Sequence, residues 1–340
     1  MFKEESLVIR RIALLCLALA LPAVGQTTLN GAGATFPNPM YQKWFSEYHK
    51  AHPDVQFNYQ SIGSGGGIRQ VLAQTVDFGA SDGPMSDEQL SQAKVKILHI
   101  PTVLGSVVPA YNIPGVTGEV KFTPQALAGI FLGKITTWND KAITSANPGV
   151  DFPNQTIIVV HRSDGSGTSY IFTDYLSKVS SEWADTVGKN TSVKWPTGLG
   201  AKGNEGVAGM VRQMTGAIGY IELIYAVQNN IPYGSIKNAA GVFMKASLDS
   251  TTAAAASVKT MPADFRVSIT NAPGKDAYPI SSFTWLLIPV QSKEASKGKM
   301  INDFLNWMVD DGQKMTASLS YAPLPDNVVA KVKDAIKQVR

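Results

Sequence analysis

Apolar residues recur along this chain with two periods. Short β-rich runs occur at Val55–Tyr59, Ile97–Ile100, Val107–Tyr111, Thr156–Val160, Ala217–Ile221 and Phe283–Ile288, a length and make-up that suit strands. Between them, apolar residues fall at i, i+3, i+4, i+7: Tyr41, Trp44, Phe45 and Tyr48, then Ile68, Val71, Leu72 and Thr75, then Phe172, Tyr175, Leu176 and Val179. That spacing predicts amphipathic helices, each anchored by one stripe. Ile301, Phe304, Leu305 and Met308 mark another, and Pro325-Asp326 opens a last helix ending near Val339, with Asp326 as its N-cap. The stretch Ser250–Ser257 reads as a loop or weak surface helix. The alternation predicts an α/β architecture with largely parallel sheets. Pro101 is placed to begin a crossover, and Pro273-Gly274 through Pro279 to begin a return. A chain that crosses twice gives two lobes on a two-strand hinge.

The first 25 residues break this pattern. Lys3, Arg10 and Arg11 make a basic start, Ile12–Ala23 is almost wholly apolar, and Ala23-Val24-Gly25 supplies small residues. This predicts a secretory signal peptide over residues 1–25, cleaved before Gln26. The apolar run is short of the roughly 20 residues that span a bilayer. Cys16, the only cysteine, lies inside that signal, and Leu15 before it argues against a lipid anchor. The secreted chain then has no disulfide, which suits a bacterial periplasm. Removing three basic and two acidic residues changes 30 − 26 = +4 to 27 − 24 = +3. A mild positive charge without a Lys/Arg cluster excludes a nucleic-acid binder and favours a small anion.

Three segments share one design. Gly31-Ala32-Gly33-Ala34-Thr35-Phe36-Pro37, Gly63-Ser64-Gly65-Gly66-Gly67 and Asp164-Gly165-Ser166-Gly167-Thr168-Ser169 each precede one of the three helical stripes. A helix N-terminus presents unpaired N–H groups at the positive end of its dipole. Glycine admits a ligand close to the backbone, and Ser or Thr adds a hydroxyl donor. Three such ends meeting at one point would hold a tetrahedral oxyanion; taken singly, each is more simply a capping motif. Arg162 stands where a guanidinium can fork onto two oxygens, with Asp164 as its partner. Asp82, in Phe78-Gly79-Ala80-Ser81-Asp82, follows a strand end. From the residues alone it is equally an ordinary loop or cap aspartate; if it faces the anion, a carboxylate there makes sense only when the anion carries a proton, and Asp82 is then expected to select phosphate over sulfate.

Weaker matches are set aside. Gly198-Leu199-Gly200-Ala201-Lys202-Gly203 fits G-x-G-x-x-G with Glu222 about 20 residues on, yet Ser192–Thr197 is a poor buried strand, so a loop near the cleft mouth is expected. His49 and His52 lack further ligands for a metal. Gly79-Ala80-Ser81-Asp82-Gly83 is followed at once by Pro84, against a nucleophile elbow. Ser64, Ser81 and Ser166 have no general base at a suggestive spacing, so a secreted phosphatase or hydrolase is the lesser alternative, as is a binder of sulfate or molybdate.

Gly31–Pro37, Val76-Asp77-Phe78-Gly79-Ala80-Ser81-Asp82, Asp164–Thr168, Leu132-Gly133-Lys134-Ile135 and Lys194-Trp195-Pro196 closely resemble the PstS-type phosphate-binding proteins of bacterial ABC importers. The resemblance covers nearly the whole chain after the signal. It implies a type II periplasmic-binding-protein fold, with residues 26–101 plus 279–340 as one lobe and 102–278 as the other. It puts Thr35, Phe36 (through its N–H), Ser64, Asp82, Arg162, Ser166, Gly167 and Thr168 on phosphate, and makes Asp164 the partner of Arg162. It implies a periplasmic monomer that is no enzyme, needs no cofactor or metal, binds no nucleic acid, and delivers phosphate to an inner-membrane ABC permease with its ATPase. Two positions depart from the family's pattern: Gly65 stands where a second serine is common, which puts one donor in doubt, and His161 where a second basic residue is common.

Overall fold

A computed structural model describes residues 25–340. The basic and apolar start with Cys16, read as a signal, lies outside the described residues. Among those described, no helix is long and apolar enough to cross a membrane.

The strands are β1 (Thr27–Gly33), β2 (Val55–Ser61), β3 (Phe78–Ser81), β4 (Ile97–Tyr111), β5 (Lys121–Phe122), β6 (Ile158–Arg162), β7 (Leu199–Ala201), β8 (Ala217–Glu222), β9 (Ser235–Lys237), β10 (Phe243–Met244) and β11 (Ser281–Pro289). Eight form one sheet in the order β2-β1-β3-β11-β4-β8-β6-β7, and β10-β9-β5 make a small second sheet. The two ends of the large sheet are parallel, β1 with β2 and β3, and β6 with β7 and β8. Its middle is antiparallel, because β4 and β11 run between the two ends in opposite directions. The prediction of largely parallel sheets therefore holds at each end and fails at the centre, where the chain crosses.

The two apolar runs at Ile97–Ile100 and Val107–Tyr111 are one strand. The first part of β4 pairs with β11 as far as Ser106, and from Val107 it pairs with β8. Pro101 thus lies within the strand that crosses and not after a strand that has ended. It sits inside β4 where the register against β11 shifts, Thr284 facing Val103 and Trp285 facing Pro101. A bulge tolerates a residue that has no N–H to donate. The β4 side chains are buried from His99 to Tyr111, as expected for a strand covered on both faces.

The helical stripes bury as their spacing predicts. Tyr41, Trp44, Phe45 and Tyr48 of helix Asn38–Ala51 pack into the main core, with Phe45 stacked on Phe57 at 4.3 Å. Ile68 and Val71 anchor helix Ser64–Ala73, and Phe172, Tyr175 and Leu176 anchor helix Gly167–Val179. The Ser250 region forms helix Leu248–Ala255 with Ser250, Thr251, Ala254 and Ala255 buried, so it is more deeply set than a surface helix. The last helix runs Asp326–Ile336, and its N-cap is Pro325, with no side-chain cap bond. Asp326 is the first helical residue, where a negative charge still suits the dipole.

Candidate functional site

Three loops, the ends of β3 and β6 and Thr284 within β11 come together. The first loop differs from its prediction. Gly31-Ala32-Gly33 completes β1, and the helix begins only at Asn38 with Pro37 as N-cap. Gly33 has φ +148° and lies against the Ala80 backbone, so its lack of a side chain serves strand packing. Thr35 and Phe36 are therefore loop residues, both buried. Three tyrosines orient their peptides. Tyr59 Oη donates to Ala34 O at 2.7 Å, Tyr225 Oη to Thr35 O at 2.6 Å and Tyr321 Oη to Phe36 O at 2.6 Å. In a trans peptide C=O and N–H point oppositely, so the bonds to Ala34 and Thr35 turn the N–H groups of Thr35 and Phe36 the other way. Neither N–H has an acceptor among the described residues.

The second and third loops are true helix N-termini. Ser64 is the first residue of its helix, and Ser166 is the N-cap of the other, its Oγ accepting from Ser169 N at 3.0 Å. That bond leaves the Ser166 hydroxyl proton available. The N–H groups of Ser64, Gly167 and Thr168 also lack an acceptor among the described residues, as the first turn of a helix requires. The two loops touch directly: Gly65 N donates to Gly165 O at 2.9 Å. A Cβ on Gly65 would lie 3.1 Å from the Gly165 Cα. The family's second serine would crowd that approach, so the glycine has a steric reason in this chain.

Arg162 ends β6 with its side chain 1% exposed. Its Nε donates to Asp164 Oδ1 at 2.7 Å, Nη2 to Oδ2 at 2.5 Å and Nη1 to Thr168 Oγ1 at 3.3 Å. Of the guanidinium's five donors, these bonds leave one on each terminal nitrogen, a fork with no acceptor among the described residues. Burial opposes ionisation of Asp164, but the Arg162 bonds and charge and the Gly203 N–H at 3.1 Å hold its carboxyl below the usual range.

Asp82 follows β3 and is 1% exposed. Thr284 Oγ1 donates to its Oδ1 at 2.7 Å, and Ser64 Oγ lies 3.4 Å from Oδ2. Burial pushes its pKa up to about 7, against the lowering by Thr284, the Arg162 charge and Ser64. Reading Asp82 as a fully ionised acceptor at neutral pH is thus too simple.

The structure brings all eight predicted site residues and Asp164 to one place, and adds residues that sequence reasoning missed. Asn204, fully buried, donates through Nδ2 to Thr35 Oγ1 at 2.7 Å and to Thr168 Oγ1 at 3.0 Å. Its signal was the set-aside glycine string: Leu199–Ala201 is strand β7 and helix Gly203–Gln213 starts there, a third glycine-led helix start beside those at Ser64 and Gly167. The segment is therefore not the loop expected. Tyr225, Tyr321 and Thr284 carried no local signal, because they come from distant elements. Glu222, which a dinucleotide reading aims at a ribose, instead accepts from Ile224 N at 2.7 Å, and burial pushes its carboxyl well above the usual range. His161 stacks on Trp195 at 5.0 Å, and burial lowers its pKa. Its neutral ring supplies no second cation.

A cavity of about 380 Å³ lined by residues including Leu90, His99, Phe265 and Ala335 lies apart from these loops. It lacks their convergence of unpaired donors, and convergent polar groups identify a small-anion site better than volume does.

A model of the PBP superfamily domain matches residues 21–312. The phosphate-binding protein PstS of Xylella fastidiosa (strain Temecula1) is 47% identical over 316 residues, covering 92% of this chain and 86% of that protein. PstS of Pasteurella multocida is 46% identical over 323 residues, covering 94% and 93%. Among solved structures, a high-affinity periplasmic phosphate-binding protein (PfluDING) bound with phosphate superposes with a TM-score of 0.74 at 23% identity, covering 91% of this chain and 93% of that one. That likeness concerns the fold, two α/β lobes of the type II periplasmic-binding-protein kind.

Proposed function

Because this chain belongs to the PstS phosphate-binding proteins of the PBP superfamily, we propose that it binds inorganic phosphate between its lobes and hands it to an ABC phosphate importer. One observation carries the reading. The N–H groups of five buried residues, Thr35, Phe36, Ser64, Gly167 and Thr168, lack acceptors among the described residues beside the free fork of Arg162, and buried Asp82 lies with them. Buried donors without partners are costly; an oxyanion satisfies them all. Phosphate hydroxyl and Asp82 share one proton, whereas sulfate at neutral pH has none to share.

The site residues are those of the resemblance, Thr35, Phe36, Ser64, Asp82, Arg162, Ser166, Gly167 and Thr168, with Asp164 holding Arg162. The lobes are 26–101 with 279–340, and 102–278. The change of β4 partner between Ser106 and Val107 favours a first boundary a few residues beyond 101. The reading includes a periplasmic monomer released by signal cleavage before Gln26, no nucleic-acid partner, and no enzymatic activity. N-terminal sequencing of secreted protein and light scattering check the first two.

The decisive experiment is calorimetric competition among phosphate, sulfate and a phosphate monoester, with a turnover assay on the ester. Stoichiometric phosphate binding without displacement by sulfate is expected. Sulfate binding as tight as phosphate at neutral pH, or hydrolysis of the ester, overturns the proposal.

A further inference from the structure

We propose that Asn204 fixes the proton polarity of Thr35 and Thr168, making both hydroxyls obligate donors to the anion, and in doing so clasps the two lobes. The inference rests on the phosphate reading above and assigns a residue to which the family resemblance gives no role. Asn204 Oδ1 accepts from Glu222 N at 2.9 Å. A backbone N–H can only donate, so the amide orientation is determined and Nδ2 faces the threonines. The two Nδ2 protons go to Thr35 Oγ1 at 2.7 Å and Thr168 Oγ1 at 3.0 Å.

Each hydroxyl then receives a second donor. Asn204 N lies 3.3 Å from Thr35 Oγ1, and Arg162 Nη1 lies 3.3 Å from Thr168 Oγ1. A hydroxyl oxygen has two lone pairs and one proton. With both lone pairs taken, each threonine has only its proton left to offer. All four side chains are buried, so water does not compete for these positions. Thr35 follows β1 in one lobe, while Thr168 and Asn204 follow β6 and β7 in the other. One amide therefore spans the cleft and sets two donors at once. Asn204 is a positioning residue, acting through the threonines.

The test is a double-mutant cycle read by calorimetry with inorganic phosphate on the full secreted chain, with melting curves on every variant. Asn204→Ala is expected to weaken phosphate about tenfold, the value of a lost hydrogen-bond arrangement. Asn204→Asp is expected to cost more, about a hundredfold, because a carboxylate only accepts and draws both hydroxyl protons away from the anion. In a Thr35→Val/Thr168→Val background the Asn204→Ala loss is expected to fall below about twofold, since no hydroxyl remains to orient. An equal fold-loss in both backgrounds overturns the proposal, as does Asn204→Asp binding as well as Asn204→Ala. If Asn204→Ala does not fold, the near-isosteric Asn204→Asp carries the cycle, and its loss must shrink at least tenfold in the valine background. These outcomes leave the phosphate reading intact. A parent chain that does not bind phosphate removes both.

Discussion

The two walls of the cleft do different work. The wall built after β6 contains Arg162, Ser166, Gly167 and Thr168: a cation, a capped helix N-terminus and hydroxyl donors. On the proposed reading it attracts any small oxyanion. The wall built after β1 and β3 contains the Thr35–Phe36 loop, Ser64 and Asp82, the last held by Thr284. It includes the acceptor, and an acceptor discriminates. On the proposed reading both walls give N–H donors, but the cation stands on one and the acceptor on the other, so charge attraction and selectivity are separable by mutation. The walls also separate two look-alike strings. In residues 164–169 the helix itself presents the N–H groups, whereas in residues 31–37 the peptides are turned by three tyrosine hydroxyls.

Asp82 should produce the largest effect. A site built around one hydrogen-bonding group rejects analogues lacking it by roughly 10⁴-fold. Asp82→Ala is expected to erase most of the phosphate-over-sulfate ratio in calorimetric titrations; an unchanged ratio would separate Asp82 from selectivity. The effect also has a pH sense. With its pKa near 7, well above the ordinary carboxylate value, Asp82 is protonated in the folded protein below that pH. A protonated carboxyl donates, and sulfate accepts, so sulfate rejection is expected to weaken as pH falls through about 7. The same raised pKa makes the ligand-free protein lose stability as pH rises from the unfolded carboxylate value through about 7. Asp82→Asn should flatten that slope in melting-temperature measurements, and a slope of unchanged steepness counts against the buried carboxyl as its source.

Arg162 tests the other wall. Arg162→Ala removes a charge-assisted fork worth about 1.5–3 kcal/mol per bond and leaves half-buried Asp164 without its partner. Phosphate is expected to weaken by about a hundredfold or more, while the phosphate-over-sulfate ratio stays near that of the parent. A large change in the ratio would show that the walls do not divide affinity from selectivity.

The sequence carried this division unevenly. The amphipathic stripes, the helix starts at Ser64 and Gly167, and the Arg162–Asp164 pair were legible because each is a local pattern of a few residues. Three features were not legible. The antiparallel centre of the sheet depends on β4 changing partners in mid-strand; the second apolar run does begin at Val107, but the break before it reads as a gap between two strands and not as a change of partner within one. The tyrosine brace unites residues 59, 225 and 321 on one loop, a contact that only folding creates. Asn204 lay in a glycine string that matched a better-known motif, and rejecting the motif concealed the helix start it encodes. Local chemistry was readable; convergence was not.

The brace should have a smaller effect than either charged group. Tyr321→Phe deletes one hydrogen bond to a carbonyl, and Tyr225→Phe removes a hydroxyl whose single proton lies between Thr35 O at 2.6 Å and Glu205 Oε1 at 3.0 Å; each is expected to cost about 1 kcal/mol, or roughly fivefold in phosphate affinity. Tyr225 should be the more consequential, because the peptide it holds carries the Phe36 N–H and because it reaches across from the other lobe. Amide shifts of Thr35 and Phe36 in nuclear magnetic resonance spectra should move in Tyr225→Phe while those of Gly167 and Thr168 stay. Equal movement on both sides would mean that the loop has no separate support.

Gly65 gives the smallest effect and the sharpest reading of how the walls meet. If its glycine were simply a missing donor, Gly65→Ser would tighten phosphate binding. The geometry argues the reverse. Gly65 N is committed to Gly165 O at 2.9 Å, and a Cβ at 3.1 Å from the Gly165 Cα forces the two loops apart by a few tenths of an ångström. Loop separation loosens every bond that spans the cleft, so Gly65→Ser is expected to weaken phosphate by a few-fold and to accelerate its release. A stopped-flow measurement of that release distinguishes the cases: slower release in Gly65→Ser would mean that the added hydroxyl outweighs the crowding, and that the contact between the two glycines is dispensable to closure.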